Sequence, residues 1–486
     1  MINRLILLSI LGVYLSDVLS AQTTFSKTYN DTMNLSAAFS RPVEDSSGVY
    51  VLATVGTGLS PEAGGYQLIL KVNASGEILL RKFSYTMERL YYGFSQLIKL
   101  KSNNYVISSG RTALSDNGSS QLYVQKFAPD FSDTLWSYFH HDSLEFDISK
   151  DLIELSDGSI VVTGYRDYSS LNQANSMDAF LLKLSAKGIK EFFYIYDQGR
   201  GDAVNNFVLT ADKGLLIGGS STSPNNPERA YVVKIDSTGN QQWVKYYPQM
   251  TSAYISRYSD NKYILSGYIV GSNKPKILFI DSAGEVIKNN TYTYIQRAFN
   301  YLGRKVFDNG IVCIGITTND EESNAGYILK TDDDGNLLWQ RRYNHGPGVD
   351  YFIDFIETQD HHLLISGAAD DGSCCGGQNA WLVKLDSMGC LEPGCWEVGI
   401  EDAKENELGV KVFPIPASEW LNFKLPVNAG EITLEVFSIS GQRVLHTTLF
   451  APLEAIQMSH LPAGLYLLRF TDENGQAVTQ RIVLSR

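Results

Sequence analysis

A strand–turn–strand unit recurs along this chain about every 50 residues, and this repeat constrains the fold more than any other feature. In its clearest copy the apolar run Tyr327 to Leu329 precedes a turn at Asp332 to Gly335, and Leu338 begins a second strand. Asp can hydrogen-bond the backbone ahead of it, and Gly accepts a positive φ without a steric penalty. Each copy therefore predicts a β-hairpin.

Seven copies of the unit can be aligned on one position in their first strand. The position holds lysine in six copies and phenylalanine in the other, and its spacings are 55, 57, 51, 45, 51 and 54 residues: Lys71, Lys126, Lys183, Lys234, Phe279, Lys330 and Lys384. A period near 50 residues, with short apolar runs and glycine turns, is typical of β-propeller blades. The repeat predicts an all-β chain with a seven-bladed β-propeller over residues 23–389.

Each repeat also holds two further short strands, of which the second ends on glycine, as in Leu363 to Gly367. Since Phe25 to Tyr29 match the strand that follows each turn, we expect the first blade to have four strands of its own. On this interpretation the blades are separated at the turns and span residues 23–75, 76–131, 132–187, 188–238, 239–283, 284–334 and 335–389.

The N-terminus predicts export. Arg4 precedes an apolar core from Leu5 to Leu15 and small residues around Ala21, as in a signal peptide of residues 1–21. This core is too short to span a bilayer, and we predict no transmembrane segment elsewhere. The formal net charge of −13 argues against a nucleic-acid partner, which would require a basic face.

The repeat ends at Gly389. Residues 390–407 are predicted to form a linker, because Glu401 to Leu408 is acidic and polar. Residues 408–486 then contain seven short candidate strands, which is typical of a small β-sandwich.

Three motifs mark this last segment. They are the opening Pro414-Ile-Pro416-Ala417, a run from Val436 to Gly441, and Leu461-Pro462-Ala-Gly464-Leu-Tyr466. With these motifs the segment resembles the C-terminal sorting domain of cargo of the type IX (Por) secretion system, although that family usually has Asn where this chain has Ile415. The resemblance implies that the type IX machinery is a partner and that the protein crosses the periplasm. It also implies that the domain is removed after export, and that the cargo is released or attached to surface lipopolysaccharide.

The five cysteines allow different interpretations. Cys390 and Cys395 flank a Pro-Gly loop in a chain predicted to be exported, so we expect a disulfide between them. The adjacent Cys374 and Cys375 could form a vicinal disulfide or remain thiols, and Cys313 is expected to be a buried apolar thiol. Paired CxxC spacing is absent, so the sequence predicts no zinc site, and we predict no other metal and no cofactor.

Three aspartates occupy comparable places, just before the second strand of their predicted blades: Asp147, Asp202 and Asp350. Carboxylates around a propeller mouth could act as acid and base in glycoside hydrolysis or bind a cation through oxygen. They could also cap turns, and we favour this structural role. They are the candidate catalytic residues.

Loop lengths suggest which face of the propeller functions. The connections on one face are short, such as Asp157-Gly158, whereas those on the other include residues 166–178, 220–229 and 369–379. Long loops on a rigid scaffold usually carry binding sites. We favour a non-catalytic module that binds a glycan or protein through the long-loop face. The alternative is a secreted hydrolase or lyase with carboxylates on that face.

Overall fold

The structure is a computed structural model. It describes a part of the chain made of these residues: 24–29, 39–56, 66–85, 95–111, 121–140, 146–168, 177–197, 200–223, 226–248, 250–269, 271–293, 297–318, 324–345, 348–370, 378–391, 395, 408–413, 420–426, 430–438, 442–450, 453–462 and 464–484. The predicted signal peptide, most of the predicted linker, and Cys374 and Cys375 lie outside the described residues. The chain divides into two compact units between Ser387 and Met388.

The first unit is a seven-bladed β-propeller, in which each blade is a four-stranded antiparallel sheet. Blades 1 to 3 contain β2 (Val43–Glu44), β3 (Tyr50–Gly56), β4 (Tyr66–Val72) and β5 (Ile78–Tyr85); β6 (Gln96–Lys99), β7 (Tyr105–Arg111), β8 (Gln121–Phe127) and β9 (Thr134–Phe139); and β10 (Phe146–Glu154), β11 (Ile160–Asp167), β12 (Met177–Leu184) and β13 (Lys190–Tyr196).

Blades 4 to 6 continue in the same strand order. They contain β14 (Arg200–Leu209), β15 (Leu215–Ser223), β16 (Asn226–Ile235) and β17 (Gln241–Tyr247); β18 (Tyr254–Ser259), β19 (Lys262–Tyr268), β20 (Pro275–Asp281) and β21 (Val286–Thr291); and β22 (Arg297–Lys305), β23 (Ile311–Thr318), β24 (Ala325–Thr331) and β25 (Leu337–Tyr343).

Blade 7 is completed by the N-terminal strand of the chain. It consists of β26 (Tyr351–Glu357), β27 (Leu363–Asp370), β28 (Gln378–Leu385) and β1 (Phe25–Tyr29), which pairs antiparallel with β28. The prediction that Phe25 to Tyr29 belong to the first blade was therefore wrong. The expected separation of blades at the turns was also wrong, because the strand after each turn pairs with the strand before it, as β5 does with β4.

The core lies between the faces of consecutive blades. One apolar cluster joins Leu181 and Tyr196 of blade 3 to Val204 and Tyr231 of blade 4. Another joins Phe25 and other side chains of blade 7 to blade 1, so the ring is closed by packing as well as by β1. Strand alternation explains this arrangement, since both faces of each sheet are covered by a neighbouring blade.

The second unit is a β-sandwich of two antiparallel sheets, as predicted. One sheet has the order β29–β30–β33 and the other β32–β31–β34–β35, with bounds β29 (Lys411–Phe413), β30 (Trp420–Lys424), β31 (Ile432–Ser438), β32 (Arg443–Leu449), β33 (Leu453–Gln457), β34 (Gly464–Thr471) and β35 (Ala477–Leu484). Its core contains Leu421, Phe423, Leu434 and Phe470.

Several predicted residues belong to this part of the chain. Pro414, Pro416 and Gly441 lie outside the described residues. Tyr466 is buried, and its hydroxyl donates to the carbonyl of Pro462 at 2.9 Å. Cys390 and Cys395 form a disulfide, and Cys313 of the propeller is a buried free thiol. The described residues contain no helix long and apolar enough to cross a membrane.

Candidate functional site

The three candidate aspartates lie where the chain enters the innermost strand of a blade. Asp147 and Asp202 are in the first residues of β10 and β14, and Asp350 directly precedes β26. All three are buried, with at most 2% of their surface exposed. Their environments differ, so the structure does not combine them into one acid–base site.

Asp147 is held by an arginine of the neighbouring strand. Arg166, its register partner in β11, donates from Nε at 2.8 Å and from a terminal nitrogen at 3.1 Å to the two carboxylate oxygens. The guanidinium also lies 5.0 Å from the ring centroid of Phe193. This bidentate, buried ion pair ties β10 to β11 and indicates a structural role.

Asp350 caps backbone groups of two loops. Its carboxylate accepts the N–H of His345 at 2.6 Å and the N–H of Asp370 at 2.9 Å. A carboxylate bonded in this way satisfies backbone donors that would otherwise be buried without a partner. For this residue the contacts agree with the turn-capping role that we favoured.

Asp202 lies in a cluster of carboxylates that the sequence did not reveal. Asp178 at the start of β12 and Asp197 just after β13 offer oxygens that lie, with those of Asp202, within 4.8 Å of one another. Burial and, after it, the negative charges of Asp197 and Asp202 raise the pKa of Asp178 to about 6, against a smaller opposing effect of a hydrogen bond from Tyr168. The three residues come from two adjacent blades.

A second cluster lies in the central channel, at the level where the innermost strands bulge. Register shifts occur between Ser149 and Asp151 in β10, between Val204 and Asn206 in β14, and between Phe352 and Asp354 in β26. A bulge inserts one residue and re-aims the side chains that follow. Asp151, Asn206 and Asp354 thereby occupy equivalent positions in their blades, and all three are buried.

Two arginines and two of these aspartates form an ion network across the channel. Arg41, which precedes blade 1, lies 3.3 Å from a carboxylate oxygen of Asp151 in blade 3 and 3.3 Å from one of Asp354 in blade 7. Arg304 of blade 6 binds both oxygens of Asp354 and the carbonyl of Phe355. The network joins blades that are not neighbours in the ring.

The two aspartates of the network titrate differently. Burial raises the pKa of Asp151 more than Arg41 lowers it. For Asp354 burial acts in the same direction, but Arg304 and Arg41 together outweigh it and hold the pKa below its ordinary value. The reason is geometric, since Asp354 contacts both guanidinium groups directly whereas Asp151 contacts only that of Arg41.

The network borders a cavity of about 460 Å³. Its walls come from the innermost strands, and Ile153, Val208, Lys305 and Glu357 lie where these strands lead into the short turns. Besides Arg41, Asp151 and Arg304, the lining consists of Ile153, Asn206, Phe207, Val208, Ile255, Ser256, Arg257, Lys305, Phe355, Ile356 and Glu357. The volume is within the range of roughly 300–1,000 Å³ found for small-molecule sites.

The cavity lies in a different part of the propeller from the predicted functional face. Most of the long connections, including residues 169–176 and 371–377, lie outside the described residues, so their role in binding stays a prediction. Sequence reasoning missed Asp151, Asp354 and Arg304. For Asp354 the signal was a charged residue inside the apolar run from Phe352 to Ile356, but the bulge that turns such a residue to the channel has no local signature.

Comparisons with known proteins bear on the two units differently. Residues 411–485 match the family described as a secretion system C-terminal sorting domain. No curated protein matches the chain. Similar solved structures include the extracellular domain of a hybrid two-component system from B. thetaiotaomicron, at 12% identity and a TM-score of 0.41, covering 94% of this chain and 58% of that one.

Two further similar structures are those of sialidases. The phage phi92 endosialidase is 8% identical with a TM-score of 0.41, over 95% of this chain and 87% of its own. The NanB sialidase of Streptococcus pneumoniae is 10% identical with a TM-score of 0.40, over 76% of this chain and 71% of its own. At these identities the similarity concerns the fold and carries no argument about a substrate.

Proposed function

Because the chain is cargo of the type IX secretion system and is exported to the cell surface or secreted, we propose that its propeller is a non-catalytic extracellular binding module. Its ligand site is the channel cavity beside the Arg41–Asp151–Asp354–Arg304 network. The ligand class that fits this cavity is an uncharged, polyhydroxylated compound such as the end of a glycan.

The observation that carries this proposal is that the carboxylate oxygens of the network are already engaged. Asp354 binds both arginines and the N–H of Phe355 at 2.7 Å. Asp151 binds Arg41 and accepts the N–H groups of Leu152 at 2.9 Å and Phe207 at 3.4 Å. A general acid or base must exchange a proton with its substrate, so carboxylates fixed in this way favour binding over catalysis.

The remaining lining supports an uncharged polar ligand. Arg257 and Lys305 are cationic, Glu357 is anionic, and Ser256 is a small polar group, so side chains of both charge signs face the cavity. The Oγ of Ser256 is buried and has no hydrogen-bond partner among the described residues. A ligand hydroxyl could satisfy it, which would restore the hydrogen bond that a buried polar group normally has.

A hydrolase or lyase is the second candidate, and one observation favours it. The pKa of Asp151 is raised while that of Asp354 is lowered within one network. Carboxyl groups whose pKa values are pushed apart are typical of acid–base pairs. On this alternative the catalytic carboxylates are in the channel, whereas the contacts of Asp147 and Asp350 suit structural roles.

A glycan array and a hydrolysis screen on the same purified full chain separate the two candidates. We expect saturable binding without turnover, weakened by Ser256→Ala and by Lys305→Ala, which change the cavity wall without breaking the ion network. The exposed Asp333→Asn variant is the control and should bind normally. Turnover that disappears in Asp151→Asn would establish the enzyme instead. Absence of both binding and turnover would refute both candidates.

A further inference from the structure

We propose that Asp178, Asp197 and Asp202 bind a divalent cation, for which Ca²⁺ is the best match, where blade 3 meets blade 4. This site is separate from the channel cavity and does not depend on the proposed function. Asp178 and Asp197 belong to blade 3, and Asp202 belongs to blade 4. A bound ion would therefore cross-link two blades.

The geometry of the carboxylates suits a single ion. Their oxygens lie within 4.8 Å of one another. Ca²⁺ takes oxygen ligands at roughly 2.3–2.6 Å, so two oxygens on one ion are separated by at most about 5 Å. Asp202 is fully buried, Asp178 is half-buried and Asp197 is exposed, so the cluster extends from the interior to the surface.

Two buried hydroxyl groups independently indicate a ligand at this place. Ser221 is the register partner of Asp202, so their side chains share one face of blade 4. Its Oγ and the hydroxyl of Tyr231 are buried and have no hydrogen-bond partner among the described residues. The Tyr231 hydroxyl interacts electrostatically with Asp202 and Asp178, which places it at the cluster. An ion with its coordinated water would provide partners for both groups.

Two arginines lie near the cluster. Arg166 interacts with Asp178 but forms its bidentate ion pair with Asp147. Arg229, the register partner of Ser221, places its guanidinium 3.6 Å from the ring centroid of Tyr246. The hard oxygen chemistry of the three carboxylates selects Ca²⁺ over softer metals.

The location of the protein allows a weak site to be filled. Ca²⁺ sites of extracellular modules commonly have dissociation constants of about 10⁻⁴–10⁻³ M. An ion that binds the folded state stabilises it by mass action. The predicted consequence is a propeller whose unfolding temperature rises with the Ca²⁺ concentration.

Calorimetric titration of the EDTA-treated full chain with CaCl₂, together with thermal unfolding at several CaCl₂ concentrations, tests the proposal. We expect saturable binding of one ion and an increase of the unfolding temperature that EDTA reverses. In Asp178→Asn the affinity for Ca²⁺ should fall at least about tenfold. Losing a residue that only hydrogen-bonds a metal ligand already lowers metal affinity by about that factor. Without Ca²⁺ the same variant should unfold at an equal or higher temperature, because repulsion between like charges is relieved.

The control is Asp333→Asn, which removes an exposed carboxylate far along the chain and should leave both measurements unchanged. Wild-type protein without Ca²⁺ binding and without a Ca²⁺-dependent shift would overturn the proposal, whether or not the variants fold. If the wild type binds no Ca²⁺ and Asp178→Asn unfolds at a higher temperature than the wild type, the carboxyl groups share a proton and do not hold a metal ion.

Discussion

At the scale of single residues, the lysine that marks the repeat has a structural role in three blades. In blade 4 the ammonium of Lys234 is buried and donates to the hydroxyl of Thr210 at 2.6 Å and to Asp212 at 2.7 Å. Lys330 binds Asp308 and Lys384 binds Asp360 in the same way. In each case a lysine of the third strand holds the turn between the first two strands.

The blade without this lysine supports the same interpretation. Phe279 replaces it in blade 5, and Asp260 of the corresponding turn is bound instead by Arg257. Lys262 of the adjacent strand lies 4.1 Å above the ring of Phe279. The turn aspartate therefore has a cationic partner in either arrangement.

Asp212→Asn is expected to destabilise the protein by about 1 kcal/mol at neutral pH, a value reduced because Asp212 is partly exposed. Burial alone would raise the pKa of Asp212, but hydrogen bonds from Lys234, Thr210 and the backbone lower it from 3.8 to about 2. Its contribution is therefore present above pH 3.8 and is lost as the pH falls through about 2.

Denaturant unfolding of both proteins between pH 7 and pH 2 measures this effect. The difference in unfolding free energy between wild type and Asp212→Asn should shrink toward the acid end. Asp260→Asn, in the blade without the lysine, is the control and should change the stability by less than about 0.5 kcal/mol. A difference that is independent of pH would contradict the assignment.

At the scale of elements, four blades are fastened to the next blade by a tyrosine of the outermost strand. The tyrosine lies at the end of this strand or directly after it, and its hydroxyl donates to a glycine carbonyl in the turn of the following blade. The pairs are Tyr29 with Gly76 at 2.8 Å, Tyr196 with Gly239 at 2.6 Å, Tyr247 with Gly284 at 2.9 Å, and Tyr292 with Gly335 at 2.7 Å. The pair Tyr29–Gly76 joins blade 7 to blade 1 and so completes the ring.

The turn glycines are required for two reasons. Gly284 has a φ of +79°, and a Cβ there would lie 2.7 Å from the ring of Trp243 in the preceding blade. Gly48 has a φ of +75°, but a Cβ there would meet no atom within 4 Å. Alanine substitutions at the two positions therefore distinguish the cost of backbone strain, which both share, from the cost of disturbing the contact between blades, which only Gly284 has.

Gly48→Ala is expected to cost about 1–2 kcal/mol from the positive φ alone. Gly284→Ala should cost a further 1–3 kcal/mol, roughly, because the added methyl group forces Trp243 away. Urea unfolding of the two variants beside wild type measures the difference. Equal destabilisation would mean that the packing of Trp243 on the turn contributes nothing.

At the scale of the whole molecule, β1 closes the propeller by pairing with β28 from Phe25 with Lys384 to Tyr29 with Ala380. Trp381 also donates to the hydroxyl of Ser26 at 2.9 Å. Because the sheet faces of each blade are covered by its neighbours, an open ring exposes the edge of β28 and a blade face.

Replacing Phe25–Tyr29 by five Gly and Ser residues should therefore lower the unfolding midpoint of the propeller and increase aggregation. A synthetic peptide with the sequence of residues 24–29 should restore part of the loss, whereas a scrambled peptide should not. Circular dichroism during urea unfolding provides the measurement. An unchanged midpoint would show that β1 adds nothing to closure.

The sorting domain determines where the molecule goes. Deleting residues 408–486 should leave the propeller in the periplasm, because the type IX machinery recognises cargo through this domain. Immunoblotting of periplasm, cell surface and medium measures the distribution, with circular dichroism of the truncated chain as a control for folding. Normal amounts of the truncated chain in the medium would contradict this role.

The sequence by itself determined the repeats, the strands within them, the β class of both units and the destination of the chain. These features depend on alternating side chains, turn residues and motifs only a few residues apart, such as Asp332 to Gly335. Export could be inferred from the same local motifs at the C-terminus. For such features no knowledge of distant contacts is needed.

Only the tertiary structure decided how the ring closes and which charges meet. Phe25–Tyr29 resemble every other outermost strand, and their partner β28 is brought near by the closure of the ring. Arg41, Asp151 and Asp354 belong to different blades, and bulges turn the two aspartates toward the channel. Asp178 and Asp202 meet because consecutive blades pack face to face. These contacts depend on register and curvature summed over the whole propeller, which no local pattern encodes.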